Sequence, residues 1–425
     1  MKQLPYLLIF ILLFISCNKN EKTIKENKLT LSKKKDSIYL LTNPKVNSEG
    51  AYLFKTEKEL LINWTEWDKQ NKHNYLKFAF FDKKTNTFQK EIKIPSSLGL
   101  QMHEESMAKI GISTKGIIYA VYRRKSINGK SRFGGYICYS ISKDNGKTWS
   151  KEYKLVNDKT STSQSFFDIA LLPDGELGMV WLDSRKPIDK NHKGKTVYFA
   201  KTNLDKGFTK EKPIAGSTCE CCRTDIYVDN QNSIHVAYRN LIDSKEPYFD
   251  GQGEMEIRDM YYLYSANNGE TFSKSIPISQ DNWHVSGCPH TGPSLSKNGN
   301  KLASTWYTGK EGKEGIYYAI NEDCKGFKSK TLLTTNGHHP QMISNFGKNY
   351  VVYETYYENA QKGYNKIQLE EINDLFVKKS FEISRKLTNN SHAVLTPITN
   401  NEILIAWTNS DTRNPKIEYE VIKIN

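Results

Sequence analysis

The chain has 425 residues, 37% of them hydrophobic and 12% aromatic, and a formal net charge of +14. The excess is lysine, 52 residues against nine arginines; this is the pattern of a solvated surface and, in an exported chain, argues against nucleic acid and for an anionic surface or acidic glycan as partner. A single hydrophobic core seldom serves so long a chain, whereas a repeat fold grows by adding units.

Met1-Lys2-Gln3 precedes an apolar run from Leu7 to Ile15, followed by Ser16-Cys17. The run is far short of the roughly 20 residues that cross a bilayer as a helix, and a charged start with a short apolar core describes an export signal. The small residue before Cys17 resembles a bacterial lipoprotein lipobox, with Phe14 where Leu is usual. The resemblance implies removal of residues 1–16, lipidation of Cys17 and anchoring to an envelope membrane, periplasmic or at the cell surface; an ordinary signal with an incidental Cys is the alternative. Lys19 to Lys34 is polar and Lys/Glu/Asn-rich, a flexible tether. The expected division is signal 1–16, tether 17–35 and a folded domain from 36 to 425.

Seven apolar β-runs then end in Trp64, Tyr122, Trp181, Tyr238, Trp306, Tyr353 and Trp407, at intervals of 58, 59, 57, 68, 47 and 54 residues. An all-strand repeat of this length predicts the blades of a β-propeller. The third repeat is the clearest. Ser165 to Leu172 is a first strand, Pro173-Asp174-Gly175 a tight turn, Leu177 to Asp183 a second strand, and Thr196 to Lys201 a third. Third strands recur at Tyr75–Asp82, Gly135–Ser142, Met260–Ala266, Gly315–Ile320, Lys366–Ile372 and Ile417–Ile424. Nothing after the last supplies a fourth strand, and Ser37 to Leu41 is placed to do so, closing the ring. Lys55 to Trp67 looks helical alone but occupies a hairpin position and is read as strand. The expected fold is all-β: a seven-bladed propeller of four-stranded antiparallel blades, with six blades as the alternative.

Ser142-Lys-Asp144-Asn-Gly146-Lys-Thr148-Trp149 follows a third strand, and Ser265-Ala-Asn267-Asn-Gly269-Glu-Thr271-Phe272 repeats it; Asn203 to Phe208 and Asn321 to Phe327 are eroded copies. In such a turn the acidic or amide side chain caps backbone N–H groups, glycine takes a positive φ, and the aromatic packs between sheets. The turn matches the Asp-box, and the chain resembles the sialidase-like (BNR-repeat) propellers over essentially its whole mature length. That resemblance implies a glycan-acting face opposite these turns, built from loops leading into each first strand and loops joining second and third strands.

The scarce residues fall on that face. Arg123, Arg124, Arg132 and Arg185 follow second strands, Arg223 leads into the fourth repeat, and Arg239 and Arg258 flank its long second loop. Histidines behave alike, with His235 alone in a strand. Arginine in a concave site grips carboxylate or sulfate bidentately, so Arg123, Arg124, Arg185, Arg223 and Arg239 are the candidates for an acidic glycan. By resemblance to sialidases, Asp183 is the candidate acid and Glu354 and Tyr356 a base and nucleophile, with ordinary strand residues the alternative for the last two; His103 is a further acid–base candidate. No arginine precedes Arg123, whereas sialidases place one at their first blade, so strict sialidase activity is not implied; a lyase acting on uronic acids suits the ring equally.

A second constellation is sharper. Cys219, Cys221 and Cys222 lead into the fourth repeat, His284, Cys288 and His290 into the fifth, His338 and His339 into the sixth, and His392 into the seventh. Equivalent phases predict convergence at the channel mouth. Thiolates and imidazoles suit copper or zinc. Disulfides are the competing reading, for instance Cys222 with Cys288, worth roughly 2–4 kcal/mol, while Cys138 and Cys324 fall in or beside third strands as buried thiols. The alternative function is thus a non-hydrolytic metal-binding propeller. Arg239 to Asp259, with Tyr248 and Phe249, is long enough for a lid or a surface excursion.

Overall fold

The structure, a computed structural model, describes residues 38–424 other than 127–133, 186–192, 248–253, 286, 323–325, 361, 386 and 412. The signal, tether and Cys17 lie outside the described residues, as do Arg132, His192, Tyr248, Phe249 and Cys324.

Among the described residues there is no α-helix, only three short 3-10 turns. The strands form eight antiparallel sheets: six of four strands, one of five and one of three. The four- and five-stranded sheets follow the sequence repeat. Their third strands, among them His73–Asp82, Gly135–Ser142, Lys195–Thr202 and Gly315–Asn321, sit where alternation placed them. Ser48–Lys55 and Leu60–Asp68 pair as a hairpin, so the segment that looked helical is strand. Its side chains are buried on both faces of the sheet at Leu60 to Glu66, and a helix would expose part of that run. Tyr39–Leu40 pairs with Lys416–Lys423 in the register Tyr39↔Tyr419 and Leu40↔Glu418, giving the last sheet its outer strand.

The first strands of the seven repeats lie innermost. In order they are Ser48–Lys55, Lys109–Ile112, Gln164–Leu171, Asp225–Val228, Ser294–Asn298, Gly337–Asn345 and Asn390–Thr399. Each touches the next, and Asn390–Thr399 touches Ser48–Lys55. A cavity of about 230 Å³ is lined from all seven. Across it Lys109 pairs with Asp168 at 3.1 Å, while burial and then the Asp168 charge push the Asp225 carboxyl up to about 7.

The seven Trp and Tyr anchors are all buried. Trp181 donates its indole N–H to Asp183 at 3.1 Å and Trp306 to Asp281 at 2.8 Å; Tyr353 donates to Glu370 at 2.9 Å. These three large rings each bring one polar group into the core and find it a partner, as burial requires; the indole N–H of Trp407, equally buried, has none among the described residues.

The two full turn motifs share one hydrogen-bond pattern. Thr148 N donates to Asp144 Oδ1 at 2.9 Å and Gly146 N to Ser142 Oγ at 2.9 Å; Thr271 N donates to Asn267 Oδ1 at 2.9 Å and Gly269 N to Ser265 Oγ at 3.0 Å. Gly146 and Gly269 have φ of 84° and 80°. A Cβ on either would meet Phe78 at 2.8 Å or Phe199 at 2.5 Å, rings of the preceding sheet. The closing aromatic packs edge-on against the same ring in the pairs Trp149–Phe78 and Phe272–Phe199, and the eroded copies repeat this as Phe208–Tyr139 and Phe327–Tyr262. The turn is a clasp between neighbouring sheets.

Candidate functional site

The site begins with a backbone irregularity. Four inner strands slip register near their start, between Glu49 and Tyr52, Ser165 and Asp168, His338 and Gln341, and Ser391 and Val394. Such a bulge bends the strand and re-aims its side chains. The residue at positive φ is Gly50 in the first repeat but Phe166, His339 and His392 in the others, each with φ of 50°; His290, φ 52°, precedes the inner strand of the fifth. For a residue with a Cβ the left-handed region costs roughly 1–2 kcal/mol, and it persists where surrounding structure over-determines it. Three histidines held this way mark the mouth. They were expected in loops; His338, His339 and His392 lie instead in the opening residues of inner strands.

His339 and His392 stack with ring centroids 4.3 Å apart. Glu354, reaching from the adjacent strand Lys348–Glu358, ties them together: His339 Nδ1 lies 2.7 Å from one carboxylate oxygen, and the His392 backbone N–H donates to the other at 2.8 Å. Glu104 and Glu105, on a 3-10 turn capped by His103, approach from the second repeat. Glu104 lies 3.3 Å from His392 Nδ1, and Glu105 lies 3.6 Å from His392 Nε2 and 3.3 Å from Arg223 Nη1. Arg223 also donates to the Pro340 carbonyl at 3.1 Å.

These environments push the groups apart. Burial, reinforced by the charges of Glu49 and Glu354, raises the Glu104 carboxyl to about 7. Burial, then the neighbouring His339, lowers His392 to about 4. Burial would lower His339 too, but its hydrogen bond to Glu354 outweighs this and raises it. Burial would raise Glu105, and Arg223, His339 and His392 together outweigh it. Near neutral pH the cluster therefore holds a carboxyl protonated in about half of the molecules beside a neutral imidazole, a pairing suited to proton transfer. Glu105, His339 and His392 bring possible ligand atoms within 4.8 Å of one another, but the Arg223 and His339 cations set against Glu105 oppose a metal ion there.

His103 stacks on His290, centroids 5.5 Å apart, and joins this cluster to the cysteines. Cys221, Cys288 and His290 have donor atoms within 4.8 Å, as do Cys219, Cys221 and Cys222. The described cysteines are free thiols. Cys138 is buried in its third strand, where burial and then Glu152 push its thiol up.

Other candidates are committed elsewhere. Asp183 is fully buried and accepts from Trp181, Ser161 and Arg185. Arg185 in turn stacks over Tyr198. Arg124 pairs with Glu152 at 2.8 Å. Arg123 donates to the Gln164 carbonyl and Gln101, and Arg239 to the carbonyls of Arg258, Thr291 and Tyr307. Of the five arginines expected to grip an anion, only Arg223 reaches the cluster. Tyr356, two residues beyond Glu354, is 45% exposed. His338 stacks on Tyr307 at 4.6 Å. His284 sits in the three-stranded sheet, where His284–Val285 joins Ile242–Pro247 and Glu254–Ile257. The described part of the long loop is thus a hairpin built onto the mouth rather than a free excursion.

Sequence reading missed Glu104 and Glu105 as members of the site, and it placed Arg258 on this face without giving it a role. Their phase, just before an inner strand or at the end of a second loop, was the available signal. A larger hollow of about 930 Å³ lies among turns of another region, lined by Thr56 to Glu59, Ser113 to Gly116 and Leu171 to Pro173, and holds none of this chemistry.

No family model matches the sequence, and no curated protein matches it. Solved structures do share the fold. A protein of unknown function from Dyadobacter fermentans is 15% identical over 77% of this chain and 97% of its own, with a TM-score of 0.51. A polysaccharide lyase, an ulvan lyase, is 11% identical over 89% and 94%, TM-score 0.56. The Hadza microbial sialidase Hz136 is 12% identical over 82% and 73%, TM-score 0.44. At such identities the likeness concerns architecture alone and not chemistry.

Proposed function

We propose that this chain is a seven-bladed propeller of the bacterial cell envelope, its ring closed by the N-terminal strand and its tether lipidated at Cys17, that binds and cleaves a glycan at the channel mouth. The observation that carries the reading is the Glu104–His392 contact at 3.3 Å, a proton donor and a proton acceptor side by side where inner strands from several repeats meet. His339, held by Glu354, supplies positive charge beside them, and Glu105 with Arg223 fixes the other side of the His392 ring. The solved relative that is a polysaccharide lyase makes elimination at a uronic acid one route, and hydrolysis the other. Even with Glu104 carrying its proton, the carboxylates of Glu49, Glu105 and Glu354 surround the mouth, against Arg223 and His339. That balance disfavours polyanionic chains and narrows the acidic glycan expected from sequence to one of low charge density.

The test is a panel of neutral, uronic-acid, sialylated and sulfated glycans incubated with the whole chain. Elimination is read as the ultraviolet absorbance of an unsaturated uronate and hydrolysis as new reducing ends. E104Q and H392N each lower cleavage by about 10²–10⁴-fold. Inactivity across the panel, or activity that survives both substitutions, removes the assignment, and a preference for highly sulfated chains removes the charge argument.

A further inference from the structure

We propose that Cys219, Cys221 and Cys222, completed by Cys288 or His290, form a binding site for a thiophilic closed-shell metal ion, zinc or copper(I). The site stands apart from the glycan reading. The first three cysteines occupy one turn between the strands Phe208–Thr218 and Asp225–Val228, and all three are buried. The Cys219 sulfur lies 3.5 Å from that of Cys221 and 3.3 Å from that of Cys222. These separations are far longer than the roughly 2.05 Å of a disulfide. They fall just inside the edge of about 3.8 Å that two sulfurs span on a tetrahedral zinc with Zn–S near 2.3 Å.

The fourth donor comes from another segment. The sulfurs of Cys221 and Cys288 and a ring nitrogen of His290 lie within 4.8 Å of one another, and His290 is held at positive φ. A metal site needs ligands held on a rigid frame, and here three come from one turn of the fourth repeat and the last from the segment leading into the fifth. Thiolates and imidazole select zinc and copper(I) over hard cations.

The second shell has the sign a thiolate site requires. Arg258 follows the strand Glu254–Ile257, its backbone held by the Trp283 carbonyl at 3.0 Å. Its guanidinium points at Cys219 Sγ at 3.2 Å and Cys221 Sγ at 3.9 Å, with Glu256 on its other side at 3.0 Å. A cation aimed at sulfur from within a part-buried pocket stabilises the deprotonated form. On binding, each thiol gives its proton to solvent and forms a sulfur–metal bond without change of oxidation state. Three thiolates, a zinc ion and Arg258 sum to neutrality, which suits burial.

The test uses the whole chain, purified under reducing, anaerobic conditions without a polyhistidine tag. Elemental analysis should find about one zinc or copper ion per chain, and cobalt(II) substitution should give a thiolate charge-transfer absorption. C219S/C222S should lose both. R258Q should lower affinity about 10–100-fold while leaving the stoichiometry at saturation intact, and because it removes no ligand it reports on the site even where the cysteine variant fails to fold. C288S/H290A separates the ions: zinc binding weakens for want of a fourth ligand, whereas copper(I), satisfied by three thiolates, keeps its affinity against a chromogenic copper(I) chelator. An absence of bound ion in the reduced chain, an unaltered affinity in C219S/C222S, or full pairing of Cys219, Cys221, Cys222 and Cys288 as disulfides in protein taken from the envelope overturns the proposal.

Discussion

Replacing Glu354 by Gln tests whether the mouth is held together by charge. The carboxylate accepts from His339 at 2.7 Å and from the His392 backbone at 2.8 Å. Glutamine keeps the shape but can accept through its single carbonyl and turns an NH₂ on the other donor. A buried hydrogen bond to a charged group is worth about 1.5–3 kcal/mol, so the expected loss is about 3–5 kcal/mol, in line with breaking a buried ion pair. The loss depends on pH in a definite sense. Burial would raise Glu354, but His339 outweighs it and holds the carboxyl below its ordinary 4.5; its contribution is complete above pH 4.5 and fades as pH falls through the folded value. His339 is raised above 6.5, Glu354 outweighing burial; its contribution is complete below pH 6.5 and fades as pH rises through the folded value. The difference between wild type and E354Q is therefore largest from pH 4.5 to 6.5. Urea unfolding at about pH 5.5 and pH 8.5 should show the difference shrinking at the higher pH. Equal differences at both, or a larger one in alkali, would refute the charge-held mouth.

Other outcomes follow from single contacts. D183A, which strips Trp181, Ser161 and Arg185 of a buried acceptor, should cost about 3–5 kcal/mol in urea unfolding, and any cleavage that remains should track the folded fraction rather than vanish. G146A places a Cβ at positive φ and against Phe78, so it should destabilise by at least about 1–2 kcal/mol, measured by thermal melting; G269A should do the same against Phe199. Because Glu104 must carry its proton to act as donor, kcat/KM on the preferred glycan should fall as pH rises above about 7; E104Q, lacking that titration, should show no such limb.

The architecture was legible because its signals are local. Alternation, the Pro173-Asp174-Gly175 turn and the Trp and Tyr anchors each follow from strand sterics and burial, and Tyr39–Leu40 was placed by counting the strand the last repeat lacked. The gathering of His339, His392 and the cysteines was legible through repeat phase alone. The duties of individual arginines were not. Whether Arg239 faces a ligand or three backbone carbonyls depends on chain segments of which two lie more than 50 residues away. Glu104 and Glu105 escaped because glutamate is common here and composition does not set it apart. The bulges that aim Phe166, His339 and His392 leave little mark in residue type, since histidine, though enriched at positive φ, adopts it only in a minority of cases.

The pairing of Tyr39–Leu40 with Lys416–Lys423, reinforced by the Ile417 N–H on Thr42 Oγ1 across 375 residues of chain, bears on how the molecule is made. Such a high contact order defers the last seam until nearly the whole polypeptide has been made. Until then the segment around Tyr39, made first, waits without the strand it pairs with. A passenger fused to the C-terminus is thus tolerated more readily than a trim of the residues around Tyr39, which leaves the seam permanently unstitched.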